Sequence, residues 1–197
     1  MRRPVPLARA PLLAPDAARD APVDVAALFR AHARDVMRWA ARLGGPDVDA
    51  EDVVQEVFLV ANRRLRTFDG RAAVTTWLFR ATAKVVLAAR RKQRLRRWLS
   101  RTPEAAAATM SAGGPTPSEA LERGREISDV YRILDRLPET QRRVLILFEI
   151  EGLSTQEIAE LVGAKIATVR VWLFRARARF LEERERSLDA VSKEVAR

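Results

Sequence analysis

Arginine and lysine are the residues of this chain best placed to do chemistry, because they are concentrated in particular segments. Between Arg80 and Arg101 the sequence has nine basic residues and no acidic one, and we call this segment the basic block. A run of a single charge sign favours binding to a polyanion over a merely solvated helix face. Trp77 and Phe79, at the start of the same predicted helix, are equally suited to stacking on an unpaired base and to packing in a core.

A second basic segment lies near the C-terminus, after a predicted turn. Ser154–Glu157 has the spacing of a capping box that begins a short helix, and Gly163 permits a tight turn after that helix. The longer helix that follows has five basic residues and no acidic one between Lys165 and Arg179. This arrangement is typical of a helix-turn-helix, whose second helix enters the major groove of DNA.

One face of that second helix is predicted to contact DNA, because the opposite face carries the apolar residues. Arg175 is suited to a forked pair of hydrogen bonds with a guanine edge, and Lys165 and Arg179 flank it at angles suited to phosphates. An ordinary amphipathic helix with a solvated arginine face is the alternative, which the capped helix and the glycine turn disfavour. The predicted DNA contacts are Lys165, Thr168, Arg170, Val171, Phe174, Arg175 and Arg179.

Acidic residues form a separate cluster. Five of them fall within ten residues that contain no base: Asp47, Asp49, Glu51, Asp52 and Glu56. A calcium loop is excluded, because Asp52 and Phe58 stand where an EF-hand needs glycine and glutamate. Stabilisation of a helix N-terminus and an acidic docking surface for a basic partner remain as the two interpretations.

The chain lacks the residues that most enzymatic chemistry needs. The chain has no cysteine and one histidine, His32, which excludes disulfides, thiol nucleophiles and direct thiol sensing. His32 lies on an apolar helical stripe, which favours a packed histidine over a catalytic one. The sequence has no phosphate-binding glycine loop and no hydrolase motif. We therefore expect a protein that is not an enzyme and has neither a metal site nor a cofactor.

These residues must be positioned by helices. Apolar side chains recur every three or four residues, no segment alternates for long enough to predict a strand, and only eight of 197 residues are glycine. The prediction is an all-α fold of two small helical domains joined by a flexible linker. Caps are predicted at Asp49, at Thr75 or Thr76, and at Ser118, and the third helix is predicted to bury Trp77 or Leu78, Ala81, Val85 and Ala88.

Proline and glycine mark where the domains begin and end. The predicted organisation is a disordered tail at 1–22, a first domain at 23–100, a linker at 101–117, a second domain at 118–186 and a C-terminal tail at 187–197. No apolar run is long enough to cross a bilayer, so we expect no membrane insertion.

Several motifs together resemble two conserved regions of bacterial RNA polymerase sigma factors. DAEDVVQEVF at Asp49–Phe58, FDG at 68–70 and TWLFR at Thr76–Arg80 resemble region 2. LPETQRRVL at Leu137–Leu145, EGLSTQEIA at Glu151–Ala159, TVR at 168–170 and RAR at 175–177 resemble region 4. Because no helical region 3 lies between them, the chain is identified as a member of the small extracytoplasmic-function group. The resemblance covers about residues 24–97 and 120–183.

The resemblance implies a cytoplasmic bacterial protein that binds core RNA polymerase, recognises −10 and −35 promoter elements and promotes transcription initiation. It implies that Asp52, Gln55 and Glu56 dock on the clamp helices of the beta-prime subunit, that region 4 rests on the beta flap and reads the −35 element, and that an anti-sigma factor is a partner. The implied contacts with the −10 element are Arg71, Trp77, Arg80, Lys84, Arg90 and Arg91.

The chain departs from the family at positions close to the expected DNA contacts. Val74, Lys84 and Ala88 stand where phenylalanine, asparagine, and aspartate or asparagine are common, and Lys165, Ala167 and Trp172 replace serine, glycine and arginine. These departures predict an unusual promoter sequence. The first alternative is a helix-turn-helix regulator that binds DNA without polymerase, but such a regulator has no need of the acidic face. A nucleic-acid enzyme is a more remote alternative.

Overall fold

The fold was taken from a computed structural model, which describes residues 25–64, 73–99 and 117–195. The described part consists of helices and connecting turns without a strand, which confirms the all-α prediction. Arg71, the predicted tail at 1–22 and all but the last residue of the predicted linker lie outside the described residues. The seven α-helices are α1 Val25–Gly44, α2 Ala50–Arg64, α3 Val74–Leu99, α4 Pro117–Leu134, α5 Glu139–Leu145, α6 Thr155–Val162 and α7 Ile166–Val195, with a π-helical turn at Ile146–Ile150.

The first domain is a bundle in which α1, α2 and α3 contact one another. Its centre holds the rings of Trp39 and Phe79, which meet edge to face with 5.4 Å between centroids. The Asp49 cap of α2 is confirmed, because its Oδ1 accepts hydrogen bonds from the backbone N–H groups of Glu51 at 2.8 Å and Asp52 at 3.3 Å.

Two details predicted for α3 are wrong. The helix begins at Val74, so Thr75 and Thr76 lie inside its first turn rather than at a cap. Ala88 is exposed rather than buried. The other predicted positions are confirmed, since Leu78 is fully buried and Trp77, Ala81 and Val85 pack partly buried against the core. The buried residues of α3 are Thr76, Leu78, Phe79, Thr82, Ala83, Val86 and Arg90.

In the second domain, α4, α5 and α6 each contact the long helix α7. The predicted capping box is confirmed, since the Ser154 hydroxyl accepts from Glu157 N and the Glu157 carboxylate accepts from Ser154 N. Gly163 ends α6 in the left-handed conformation at φ 73°, as the turn requires. Helix α4 starts at Pro117, which places Ser118 inside it rather than at its cap, and α7 continues to Val195, beyond the boundary predicted at 186.

The two domains touch each other along one side. Helix α3 contacts α6, helix α1 contacts the π-helical turn, and one set of buried apolar residues runs through both domains. Within the described ranges, no helix combines the length and the apolar character that a bilayer crossing would need.

Candidate nucleic-acid interface

Helix α7 presents the side chains that the sequence predicts at DNA. Its inner face is fixed by Val169, Leu173 and Ala176, which are buried against the rest of the domain. On the outer face, Phe174 is 75% exposed and Val171 47% exposed, an unusual position for large apolar side chains unless another molecule covers them. Lys165, Arg170, Arg175 and Arg179 are also exposed, and Thr168 is half-buried.

The preceding helix and turn fix the direction of α7. The αL conformation of Gly163 lets α7 begin at Ile166, after a turn of three residues. Arg177 lies beside this surface and is held by the protein itself, since it pairs with Glu149 at 2.7 Å and its guanidinium lies over the ring of Phe148. Arg177 therefore helps to hold α7 against the π-helical turn.

Most of the described part of the basic block faces solvent, and Arg90 is the exception. Lys84 and Arg91 are exposed on α3, and Trp77 is half-buried at its N-terminal end. Arg80 is exposed as well, and it also contacts the second domain, where its Nε donates to the carbonyl of Leu161 at 3.1 Å and its Nη2 to that of Glu160 at 3.3 Å.

Arg90 is the buried member of the predicted −10 set. It is 4% exposed, and its guanidinium forms 2.6 Å ion pairs with Asp135 and with Glu139 of the second domain. Asp135 also lies 3.2 Å from Nε of Arg142, a fully buried arginine. Burial, and next the charge of Arg90, lower the pKa of Arg142 to about 10. Arg142 therefore stays charged at neutral pH and shares a carboxylate with Arg90.

The acidic residues expected at polymerase lie on the outer face of α2. Asp52, Gln55 and Glu56 are exposed, while Val53 and Val57 on the other side are buried in the bundle. The face is held by the capped first turn of α2, so its carboxylates project from a rigid element. Such an arrangement suits docking of a basic surface.

The sequence reasoning missed the polar network between the domains. Its centre is Arg142, which stands one turn before Leu145 and Ile146 on the buried side of the second domain. A charged residue in line with apolar ones at helical spacing is a signal of a buried ion pair. Its partners lie far away in the sequence and carry no local signature. Among the residues that the structure describes, no group of three or more histidine and carboxylate side chains could hold a metal ion.

Comparisons with known proteins agree with the geometry. The family model for sigma-70 region 2 matches residues 28–96, and that for sigma-70 region 4 matches residues 127–180. The ECF RNA polymerase sigma-E factor of Escherichia coli is 38% identical over 140 residues, which are 67% of this chain and 72% of that protein. The ECF RNA polymerase sigma factor SigE of Mycolicibacterium smegmatis is 37% identical over 156 residues, which are 76% of this chain but only 57% of that longer relative.

A solved structure shows the same fold. CnrH, in complex with the cytosolic domain of CnrY, is 26% identical with a TM-score of 0.54, over 84% of this chain and 88% of that one. Both matched regions lie in the helical domains described above, in the order that the sequence motifs predict. The chain therefore belongs to the sigma-70 family of RNA polymerase sigma factors, in its extracytoplasmic-function (ECF) group.

Proposed function

We propose that the chain binds core RNA polymerase through α2, contacts the −10 element through α3 and reads the −35 element through α7. The main support for this function is the outer face of α7, where Phe174 is 75% exposed and lies between arginines, while the inner face of the helix is buried against the rest of the domain. The chain acts in the bacterial cytoplasm as an initiation factor and catalyses no reaction itself.

At the −35 element, α7 lies in the major groove. Arg175 donates a forked pair of hydrogen bonds to a guanine edge, and Val171 and Phe174 contact thymine methyl groups or sugars. Lys165, Arg170 and Arg179 bind phosphates on either side, which sets the register of the helix without reading sequence. Ala167 and Ala178, both exposed, let the helix approach the bases closely.

At the −10 element, α3 supplies the exposed basic side chains Arg80, Lys84 and Arg91, with Trp77 positioned to stack on an unpaired base. Arg90 is assigned to the same surface, and its contact with DNA requires that its ion pairs with the second domain open. Arg71, outside the described residues, belongs to the same proposed surface. The chain between α3 and α4 tethers the two DNA-binding domains, so that binding at one element raises the effective concentration of the other domain.

Two protein partners complete the proposal. The acidic face Asp52, Gln55 and Glu56 docks on the clamp helices of the beta-prime subunit, and the second domain rests on the flap of the beta subunit. The solved structure of CnrH contains it in complex with the cytosolic domain of CnrY, which supports a regulatory protein partner for this chain, and we propose that this partner is an anti-sigma factor.

In vitro transcription with core enzyme over a randomised promoter library tests the function. We expect transcription that depends on this chain and selects two sequence elements, with preferences that differ from the group's common promoter because Lys84, Lys165 and Ala167 depart from the family. Asp52→Asn with Glu56→Gln should weaken co-purification with core polymerase. Tight binding of duplex DNA by the chain, with no association with core polymerase, would instead identify a regulator that works without polymerase.

A further inference from the structure

Helix α7 carries an uncovered row of large apolar side chains on its outer side. Phe174, Leu181 and Leu188 stand seven residues apart and are 75%, 54% and 56% exposed; we call them the α7 stripe. A period of seven keeps residues on one side of a helix, and it is the repeat by which large side chains pack in coiled coils. The sequence places Val195 one period further on.

The opposite side of α7 is already used within the second domain. Leu173 and Ala176 are buried there, and the largely buried carboxylate of Glu183 pairs with Arg136 at 3.1 Å. The helix is therefore held on that side as far as Glu183, and the α7 stripe faces away from the domain. From Leu181 onward, α7 also lies beyond residues 127–180, which match sigma-70 region 4.

DNA does not suit the second half of the α7 stripe. At a rise of about 1.5 Å per residue, Leu188 lies about 21 Å along the helix from Phe174, whereas the major groove is about 12 Å wide. The charge also changes sign, because exposed Glu182, Glu185 and Asp189 follow a first half that has no acidic residue. These carboxylates repel phosphates and anionic lipids alike. A protein surface with charges of both signs fits this pattern instead.

The charges beside the α7 stripe are sorted by sign into two rows. Exposed Arg177 and Arg184 lie along one side of it, and exposed Glu182 and Asp189 lie along the other. When two copies of such a helix pair in parallel, a residue of the first row faces the residue five positions later in the partner's second row. Arg177 then meets the second copy's Glu182, and Arg184 meets its Asp189. In an antiparallel pair each row meets itself, which opposes like charges.

We propose that two copies of this chain pair in parallel through the C-terminal half of α7, as a short coiled coil that begins near Arg177. This pairing goes beyond the proposed function and does not depend on it. Toward the N-terminus, the same spacing sets Arg170 against the second copy's Arg175, so repulsion keeps the halves proposed to read DNA apart. Glu185 lies in the seam between stripe residues and faces its own copy, which makes the dimer weak and reversible.

Sedimentation equilibrium of the full chain, from low to high micromolar concentration, tests the pairing. We expect a reversible monomer–dimer equilibrium. Leu181→Ser with Leu188→Ser should weaken it by about tenfold or more, because the seam loses both leucines while the fold loses no buried side chain. The matched control, Leu59→Ser with Leu95→Ser, removes two leucines of similar exposure from α2 and α3 and should dimerise like the wild type. A wild-type chain that stays monomeric, or a control that loses the dimer too, would overturn the proposal.

Exchange of two charges tests the parallel register in the same experiment. Arg184→Glu alone and Asp189→Arg alone each oppose like charges across the parallel pair, so each should weaken dimerisation about threefold or more. The double variant brings opposite charges together again at an unchanged net charge, and we expect it to dimerise like the wild type. Tighter dimerisation by Arg184→Glu alone, or no recovery in the double variant, would overturn the parallel pairing.

Discussion

At the scale of single residues, we propose different roles for two exposed arginines because of where they lie on α7. Arg175 and Arg179 are both exposed and one helical turn apart. Arg175 lies beside Phe174 at the middle of the outer face, where base edges would be, and Arg179 lies at its far end. A base contact discriminates between sequences, whereas a phosphate contact adds affinity to all of them.

Replacing these two arginines in turn tests the assignment. Arg175→Ala is expected to cost about 1–3 kcal/mol at one base pair of the −35 element and to relax the preference there, because a bidentate contact with the base is lost. Arg179→Ala should weaken binding to all sequences alike. Affinities measured over a set of single-base promoter variants distinguish these outcomes, and an equal loss on every sequence for Arg175→Ala would contradict the base contact.

At the scale of helices and turns, three glycines share a backbone conformation but differ in surroundings. Gly45, Gly152 and Gly163 have φ of 77°, 67° and 73°. A Cβ on Gly152 would meet no atom within 4 Å, while the other two face Tyr131 and Arg80 across the interface. Substitutions at the three turns therefore separate the cost of backbone strain from the cost of displacing Tyr131 or Arg80.

Alanine at each of these glycines is expected to be destabilising. Gly152→Ala should cost about 1–2 kcal/mol, the usual penalty for a left-handed alanine. Gly45→Ala should cost more, because the rigid ring of Tyr131 must move as well. Gly163→Ala should cost a similar amount to Gly152→Ala in unfolding and yet loosen the contact between the domains, since Arg80 is displaced. Dyes on Asn62→Cys of α2 and Glu182→Cys of α7, both exposed positions in a chain without cysteine, would report this as a fall in energy transfer. Thermal unfolding and energy transfer measure both effects, and identical behaviour of all three variants would argue against a tight interdomain contact.

At the scale of the whole molecule, the charges are divided among separate surfaces. The acidic face of α2 and the basic outer face of α7 are free, while part of the basic face of α3 is turned against the second domain. Tyr131 reports on that contact, because it is the chain's one tyrosine and its ring lies between the domains. Burial raises its pKa above 10.0, although the neighbouring Arg142 and Arg42 act in the opposite direction.

The pKa of Tyr131 should depend on contact between the two domains. Because the pKa is raised in the folded state, the stability that Tyr131 contributes is fully present below pH 10 and is lost as the pH rises through the pKa of the folded state. Arg142, Arg42, Glu151 and Asp135 are the charged groups around it. Spectrophotometric titration should show a Tyr131 pKa that returns toward the ordinary value in a Glu139→Gln/Glu151→Gln variant, which removes ion pairs between the domains. An unchanged pKa in that variant would mean that Tyr131 stays buried without the interdomain ion pairs.

Local signals accounted for much of this fold. The Asp49 cap, the Ser154–Glu157 capping box and the Gly163 turn were predictable because each depends on residues within a few positions of one another. The first turn of α3 was placed wrongly because both Thr75 and Thr76 resemble caps. The burial predicted for Ala88 was wrong because alanine fits a buried or an exposed position equally well. Packing between helices then decides which of the two positions it occupies.

The sequence by itself determined the helices, their order and the sign of charge on each face, since these follow from neighbours three or four residues apart. Only the tertiary structure decided which of the basic residues contact the second domain. Arg90 meets Asp135 and Glu139 from 45 and 49 residues away, and Arg80 meets Leu161 from 81. Such contacts are fixed by how two domains dock, which depends on the shape of both surfaces and leaves no pattern in either segment alone.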